Sequence, residues 1–125
     1  MSSNERRLRR SADPLIALHY QLTQLKKEGS LDAIVLTDQT GTVVAGAGSW
    51  PLCEELAAYA PIWSNEAPIS ESRVGDMRKE VDLRSVNIGG SEMIVCTRKG
   101  GNQGTRSSQE IMNLAEESVL RILAA

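Results

Sequence analysis

Residues 31–47, LDAIVLTDQTGTVVAGA, constrain the fold of this chain more than any other segment. Two short apolar runs flank a four-residue turn signal that begins at Asp38 and ends at Gly41. An aspartate in this position accepts hydrogen bonds from backbone N–H groups two or three residues further on, and a glycine supplies the positive φ that closes the turn. The segment therefore predicts a β-hairpin.

A helical pattern precedes this hairpin. Asp13 has the character of an N-cap and Pro14 suits the first helical position, where its missing N–H costs nothing. Leucines then recur at spacings of three and four residues as far as Gly29: Leu15, Leu18, Leu22 and Leu25. The pattern predicts an amphipathic helix that begins at Asp13 and ends before the hairpin.

Two more helices are predicted further along the chain. Ser49 is the expected N-cap of a helix over residues 50–63, which contains both tryptophans and one of the two tyrosines. Large amphipathic rings are found in cores and in interfaces, so both roles stay open for this aromatic helix. Ser107 and Glu110 have the spacing of a capping box, which predicts a last helix near the C-terminus.

A second hairpin is predicted from residues 81–88 and 92–99, which are joined by a Gly-Gly pair at 89–90. Apolar residues change parity halfway along residues 81–88. Either a β-bulge near Arg84 switches faces, or both faces of the strand are partly buried. The preceding polar stretch has little periodicity, and the possibility of a further strand within residues 71–77 stays open.

The order of elements predicts an α/β chain of the layered α+β type. Residues 34–36 and 93–96 are apolar without alternation, so both faces of these strands should be covered. Hairpins imply an antiparallel sheet, here of four or five strands, with one helix on one face and two on the other. One helix covers such a sheet poorly, which predicts an exposed apolar patch beside Trp50, Tyr59 and Trp63.

The length of 125 residues suits a single domain, which we place at residues 13–125. A net charge of −2 disfavours a nucleic-acid binder. We find no apolar run long enough to span a membrane and no signal-peptide pattern, so a cytoplasmic protein is expected. Cys53 and Cys96 lack the spacing of a metal or redox motif and are interpreted as reduced core residues.

Residues 1–12 are predicted to form a flexible basic tail. Four arginines lie within five positions of this segment, at Arg6, Arg7, Arg9 and Arg10. Such a cluster is typical of a solvated tail, and the alternative is a patch for lipid or for an acidic protein.

The sequence contains no recognisable catalytic set. His19 is the only histidine, and we predict neither catalytic residues nor a cofactor nor a metal. The segment DQTGT from Asp38 is similar to the phosphorylated DKTGT segment of cation-pumping ATPases, but that chemistry needs a parallel sheet, a lysine and a later acidic pair. Another alternative is a small-molecule sensor in which Arg73, Arg78 and Arg84 hold an anion.

The chain resembles the roadblock family, small dimerisation modules found in dynein light chains, lysosomal scaffold subunits and bacterial partners of Ras-like GTPases. The resemblance covers residues 14–125. It rests on the element order, on AIVLTDQTGTVVA at residues 33–45, on LAAYAP at residues 56–61, and on residues 84–100 with their Gly-rich ending. It implies a roadblock or profilin-like fold. This family has three strands between its second and third helices, whereas we find two clear ones.

The resemblance also implies a function. It implies a homodimer in which the second helix and the strand after it pair with their symmetry mates, and a non-enzymatic scaffold or regulator whose partner is a small Ras-like GTPase or another protein. The expected interface residues are Leu52, Leu56, Tyr59, Ala60, Trp63, Leu83 and Ser85. The alternative function is that of a domain that senses a small molecule or an anion.

Overall fold

The computed structural model describes residues 3–65 and 72–124. The elements, in chain order, are α1 (Ser3–Glu28), β1 (Leu31–Asp38), β2 (Val43–Gly48), α2 (Trp50–Ser64), α3 (Ser72–Arg78), β3 (Val81–Ile88), β4 (Ser91–Lys99) and α4 (Ser108–Leu123). The strands form one antiparallel sheet in the order β2-β1-β4-β3. Both predicted hairpins are confirmed, and β3 and β2 lie at the edges of the sheet.

Helices cover both faces of this sheet, as the apolar strands require. Alternate residues of β1 point to opposite faces: Ile34 and Leu36 pack under α1 and α4, whereas Ala33 and Val35 pack under α2 and α3. The core on the α1 and α4 side of the sheet also contains Leu18, Leu22 and Leu25 from α1 and Ile111, Ala115 and Val119 from α4. The predicted layered α+β architecture is therefore confirmed.

The change of parity in β3 reflects burial on both faces. The register with β4 runs without a shift from Val81 to Ile88, so β3 has no bulge. Val81 and Leu83 pack on the α2 side, whereas Val86 and Ile88 pack on the α1 and α4 side. Of the two interpretations, the partly buried strand is the right one.

Residues 72–78 form the helix α3, so the strand considered at residues 71–77 is wrong over the part that the structure describes. Val74 and Met77 are both buried and lie three residues apart, which places them on one side of a helical turn. They join the core under α2. The sheet face on that side is consequently covered by two helices.

The start of α1 also differs from the prediction. The helix begins at Ser3, and Pro14 lies inside it rather than at its first position. An internal proline removes one backbone hydrogen bond, but the preceding residues are rich in arginine, a good helix former, and the helix extends through the proline. The flexibility of residues 1–12 stays a prediction.

Both cysteines are buried with free thiols, as predicted. Burial raises the pKa of the Cys96 thiol to about 12 and also raises the pKa of Cys53. Because the thiolate is the reactive form, we expect neither thiol of the native protein to react with Ellman's reagent at neutral pH, and both to react in denaturant. Fast labelling of the folded protein would contradict this packing.

Candidate interaction surface

The DQTGT segment is a turn held together by its own aspartate. Oδ1 of Asp38 accepts hydrogen bonds from the backbone N–H of Thr40 at 2.9 Å, from its hydroxyl at 2.6 Å and from the N–H of Thr42 at 3.0 Å. Gly41 has a φ of 87° and donates its N–H to the carbonyl of Asp38. The antiparallel sheet lacks the parallel strands that aspartyl phosphorylation needs, which favours the structural interpretation of Asp38.

The Asp38 turn gives a pH-dependent prediction. The hydroxyl of Thr40, followed by the N–H of Thr42, lowers the pKa of Asp38 below its ordinary value of 3.8. The lowered pKa means that this carboxylate stabilises the fold above pH 3.8, and that the contribution is lost as the pH falls through the folded-state pKa. We expect Asp38→Asn to reduce the free energy of unfolding by about 1 kcal/mol at most at neutral pH, because the turn is solvated.

Urea titrations of the native chain and of Asp38→Asn check this prediction. The difference between the two proteins should be present at neutral pH and should shrink as the pH falls below 3.8. A difference that stays constant in acid would mean that the carboxylate charge does not hold the turn.

The arginines considered for an anion site have protein partners. The guanidinium of Arg84 donates to the side-chain oxygen of Asn113 and lies 3.8 Å from the carboxylate of Glu116. Arg78 donates to the carbonyl of Val81 at 3.0 Å. The side chain of Arg73 lies outside the described residues. Arg78 and Arg84 line one solvent-open cavity together with Asp82, and each guanidinium already has a protein partner.

His19 lies on the surface of α1, as predicted. Its Nδ1 is 3.0 Å from the carbonyl oxygen of Gly46 in β2, a geometry that suits an Nδ1–H donor. Within the described residues, no group of three His, Cys, Asp or Glu side chains could hold a metal ion.

The expected interface residues divide into two sets. Leu56, Ala60 and Trp63 are buried within the single chain, where they form part of the core between α2 and the sheet. The remaining members retain exposed surface: Leu52, Tyr59 and Leu83 are partly buried against that core, and Ser85 is exposed. Only this second set lies at the surface of the single chain.

Trp63 is fixed by α3. Only 4% of its surface is exposed, and its indole N–H donates to the carbonyl of Val74 at 3.2 Å. The ring also meets Tyr59 edge to face, with the ring centres 5.5 Å apart. Trp63 therefore belongs to the core of the single chain, and not to the exposed patch expected beside the aromatic helix.

Ile62 also lies in the exposed set, although the sequence pattern does not single it out. It lies on α2 three residues after Tyr59 and ten after Leu52, a spacing that places the three on one flank of the helix, and 40% of its surface is exposed. The hydroxyls of Ser64 and Ser85 are 3.5 Å apart, which brings the end of α2 next to β3. We call the set made by Leu52, Tyr59, Ile62, Leu83 and Ser85 the α2–β3 surface.

Comparison with solved structures identifies the architecture. MglB of Myxococcus xanthus is similar with a TM-score of 0.55 and 11% identity, covering 86% of this chain and 88% of that one. The gliding protein MglB of Thermus thermophilus is similar with a TM-score of 0.61 and 16% identity, covering 88% of this chain and 90% of that one. The chain has the roadblock fold.

This likeness is one of structure rather than of sequence. No family model matches the chain, and no curated protein matches it. In this chain the helix α3 precedes β3, and β3 is an edge strand of the sheet that the described residues form. No helix in the described parts of the chain is long and apolar enough to cross a membrane.

Proposed function

We propose that this chain is a non-enzymatic, cytoplasmic, homodimeric scaffold or regulator that binds another protein, a small Ras-like GTPase. The observation that carries the proposal is the fold shared with the two MglB structures over most of the chain. The roadblock resemblance implies the same class of partner. A domain of this kind acts by binding and orienting a GTPase, and it needs no catalytic residue of its own.

The α2–β3 surface supports the homodimer. No strand within the described residues 3–65 and 72–124 lies beside the outer edge of β3, and unpaired strand edges invite pairing with another chain. Two copies related by a two-fold axis could join their β3 edges into one continuous sheet, with Tyr59 and Ile62 of each copy facing the other. Pairing of this kind would bury the exposed surface of Ile62 and remove the open edge.

Light scattering at micromolar concentration tests the dimer. We expect a mass of about twice 13.6 kDa. A monomer that persists at tens of micromolar would contradict the dimer.

The partner needs a separate experiment. The chain, immobilised, should retain a Ras-like GTPase from native extract in one nucleotide state more strongly than in the other, and the purified pair should show an altered rate of GTP hydrolysis or nucleotide exchange. Equal binding of both nucleotide states with unchanged rates would leave a passive scaffold and contradict regulation. Failure to retain any GTPase would contradict the proposed partner.

A further inference from the structure

The helix α1 is longer than the sheet on which it packs. Its 26 residues span about 39 Å at a helical rise of ~1.5 Å per residue, whereas the eight residues of β1 span about 26 Å. The described α1 side chains that are buried in the core are Leu18, Leu22 and Leu25, all in the C-terminal part of the helix. Because only two residues separate α1 from β1, the surplus length belongs to the N-terminal part of the helix.

An apolar surface on α1 is left uncovered next to this extension. The exposed fractions are 46% for Leu15, 53% for Ile16 and 69% for Tyr20. Ile16 and Tyr20 are four residues apart and share one side of the helix, and the ring of Tyr20 meets His19 edge to face. Three of the six large exposed apolar residues of the described chain lie within residues 15–20, so the surface is a local concentration. We call Leu15, Ile16 and Tyr20 the α1 apolar surface.

The same helix carries a concentration of positive charge. Residues 1–20 contain four arginines against the two carboxylates of Glu5 and Asp13, although the chain as a whole has a net charge of −2. The backbone of α1 continues through all four arginine positions. A helix with exposed aliphatic and tyrosine side chains beside a cluster of arginines has the composition of helices that lie in a membrane interface.

We propose that α1 binds peripherally to membranes that contain anionic lipids. The α1 apolar surface enters the boundary between headgroups and acyl chains, with the phenol of Tyr20 at headgroup level, while the arginines of the extension meet the lipid phosphates and carboxylates. The charge and the apolar side chains act together, since neither a short aliphatic patch nor four arginines alone holds a protein of this size firmly on a bilayer.

Charge also argues against a second copy of the chain as the occupant of this surface. Each α1 carries the arginine cluster near its N-terminus and Lys26 and Lys27 in its last turn. Parallel pairing of two α1 helices would bring the arginine clusters together, and antiparallel pairing would bring arginines next to lysines. An anionic lipid surface complements both ends of the helix.

Lipid binding through α1 is compatible with the proposed homodimer. α1 packs on one face of the sheet, and the helix α2 of the α2–β3 surface packs on the other. A chain held on a membrane through α1 would therefore keep the α2–β3 surface available.

Cosedimentation with vesicles tests the proposal. We expect the full chain to sediment with phosphatidylcholine vesicles that contain phosphatidylserine, to bind pure phosphatidylcholine at least about tenfold more weakly, and to lose affinity as salt is added. Replacing Arg9 and Arg10 by Gln should weaken binding to the anionic vesicles by about tenfold or more.

Replacing Ile16 and Tyr20 together by Ser should also weaken this binding by about tenfold or more, since the apolar contact with the acyl chains is lost. The matched control is Leu120→Ser on α4, another exposed leucine, which should bind as the native chain does. Circular dichroism of each variant should match that of the native protein, because all three substituted apolar side chains are exposed.

Three results would overturn the proposal: no binding of the native chain to anionic vesicles, full binding by the Ile16 and Tyr20 variant, or an equal loss in the Leu120 control. Binding to polyglutamate without binding to vesicles would identify the surface as a site for an acidic protein and would likewise overturn the lipid assignment.

Discussion

Replacing Trp63 by alanine should reduce the free energy of unfolding by about 3–5 kcal/mol, the usual cost of removing a buried tryptophan. The indole is 4% exposed, and it joins α2 to α3 through its hydrogen bond to Val74. Its removal leaves a cavity between the two helices and a backbone carbonyl that loses its partner. We expect α3, a helix of seven residues, to detach from the core first.

Urea denaturation at two protein concentrations checks this result. If Trp63 acts inside the subunit, the loss in Trp63→Ala should be the same at both concentrations, since a subunit contact does not depend on mass action. The matched control is Trp50→Ala, which removes the same ring from a position that is 60% exposed and should change stability by less than about 0.5 kcal/mol.

A second variant separates the ring from its hydrogen bond. Trp63→Phe keeps most of the apolar contact but cannot donate to Val74, and it should cost about 1–2 kcal/mol. If Trp63→Ala left the subunit as stable as the native chain and only weakened self-association, Trp63 would be an interface residue and its place in the core would be wrong.

The helix α2 shows what the sequence could and could not predict. The spacing of Leu56, Ala60 and Trp63 predicts that they lie on one stripe of α2, and these residues do share a side of the helix. A stripe says only that its residues are covered by something. It does not say whether the chain's own sheet and α3 or a second copy of the chain covers them. Whether Leu56, Ala60 and Trp63 face the core or an interface can therefore be decided only from the tertiary packing.

Local chemistry, by contrast, was predictable from neighbouring residues. The Asp38 turn, the Gly-Gly turn with positive φ at both residues, and the reciprocal hydrogen bonds of Ser107 and Glu110 all depend on contacts within four residues. Ser49 occupies the predicted N-cap of α2, although its side chain accepts no capping hydrogen bond. The helix α3 has no comparable signature, because seven residues with two buried positions carry too little periodicity to separate a helix from a strand.

The misplaced start of α1 has a related cause. Proline is common at the first helical position, so Pro14 after Asp13 predicts the start of a helix. A helix can also continue through a proline when the residues on both sides favour it. The leucine spacing also predicts one stripe for Leu15, Leu18 and Leu22, whereas the structure leaves Leu15 exposed and buries the other two.

The prediction with the largest effect on assembly is Ile62→Glu. In the proposed two-fold interface every substitution occurs twice, so this variant would place two carboxylates between the α2 helices and leave them desolvated. We expect the dissociation constant of the dimer to rise at least about 100-fold, which corresponds to ~2.7 kcal/mol. The subunit itself should keep its helicity and its packing, because Ile62 is 40% exposed in the single chain.

The matched control for Ile62→Glu is Leu120→Glu, which introduces the same charge at an exposed aliphatic position of α4, 38% exposed and on the opposite face of the sheet. Sedimentation equilibrium of the native chain and both variants distinguishes the outcomes. Dissociation of Ile62→Glu alone supports the α2–β3 surface as the interface. Dissociation of Leu120→Glu alone would place the contact on the α4 side. If both variants remained dimers, Ile62 would be excluded from the interface. Substitutions at Leu83 and Ser85 would then test the pairing of the β3 edges.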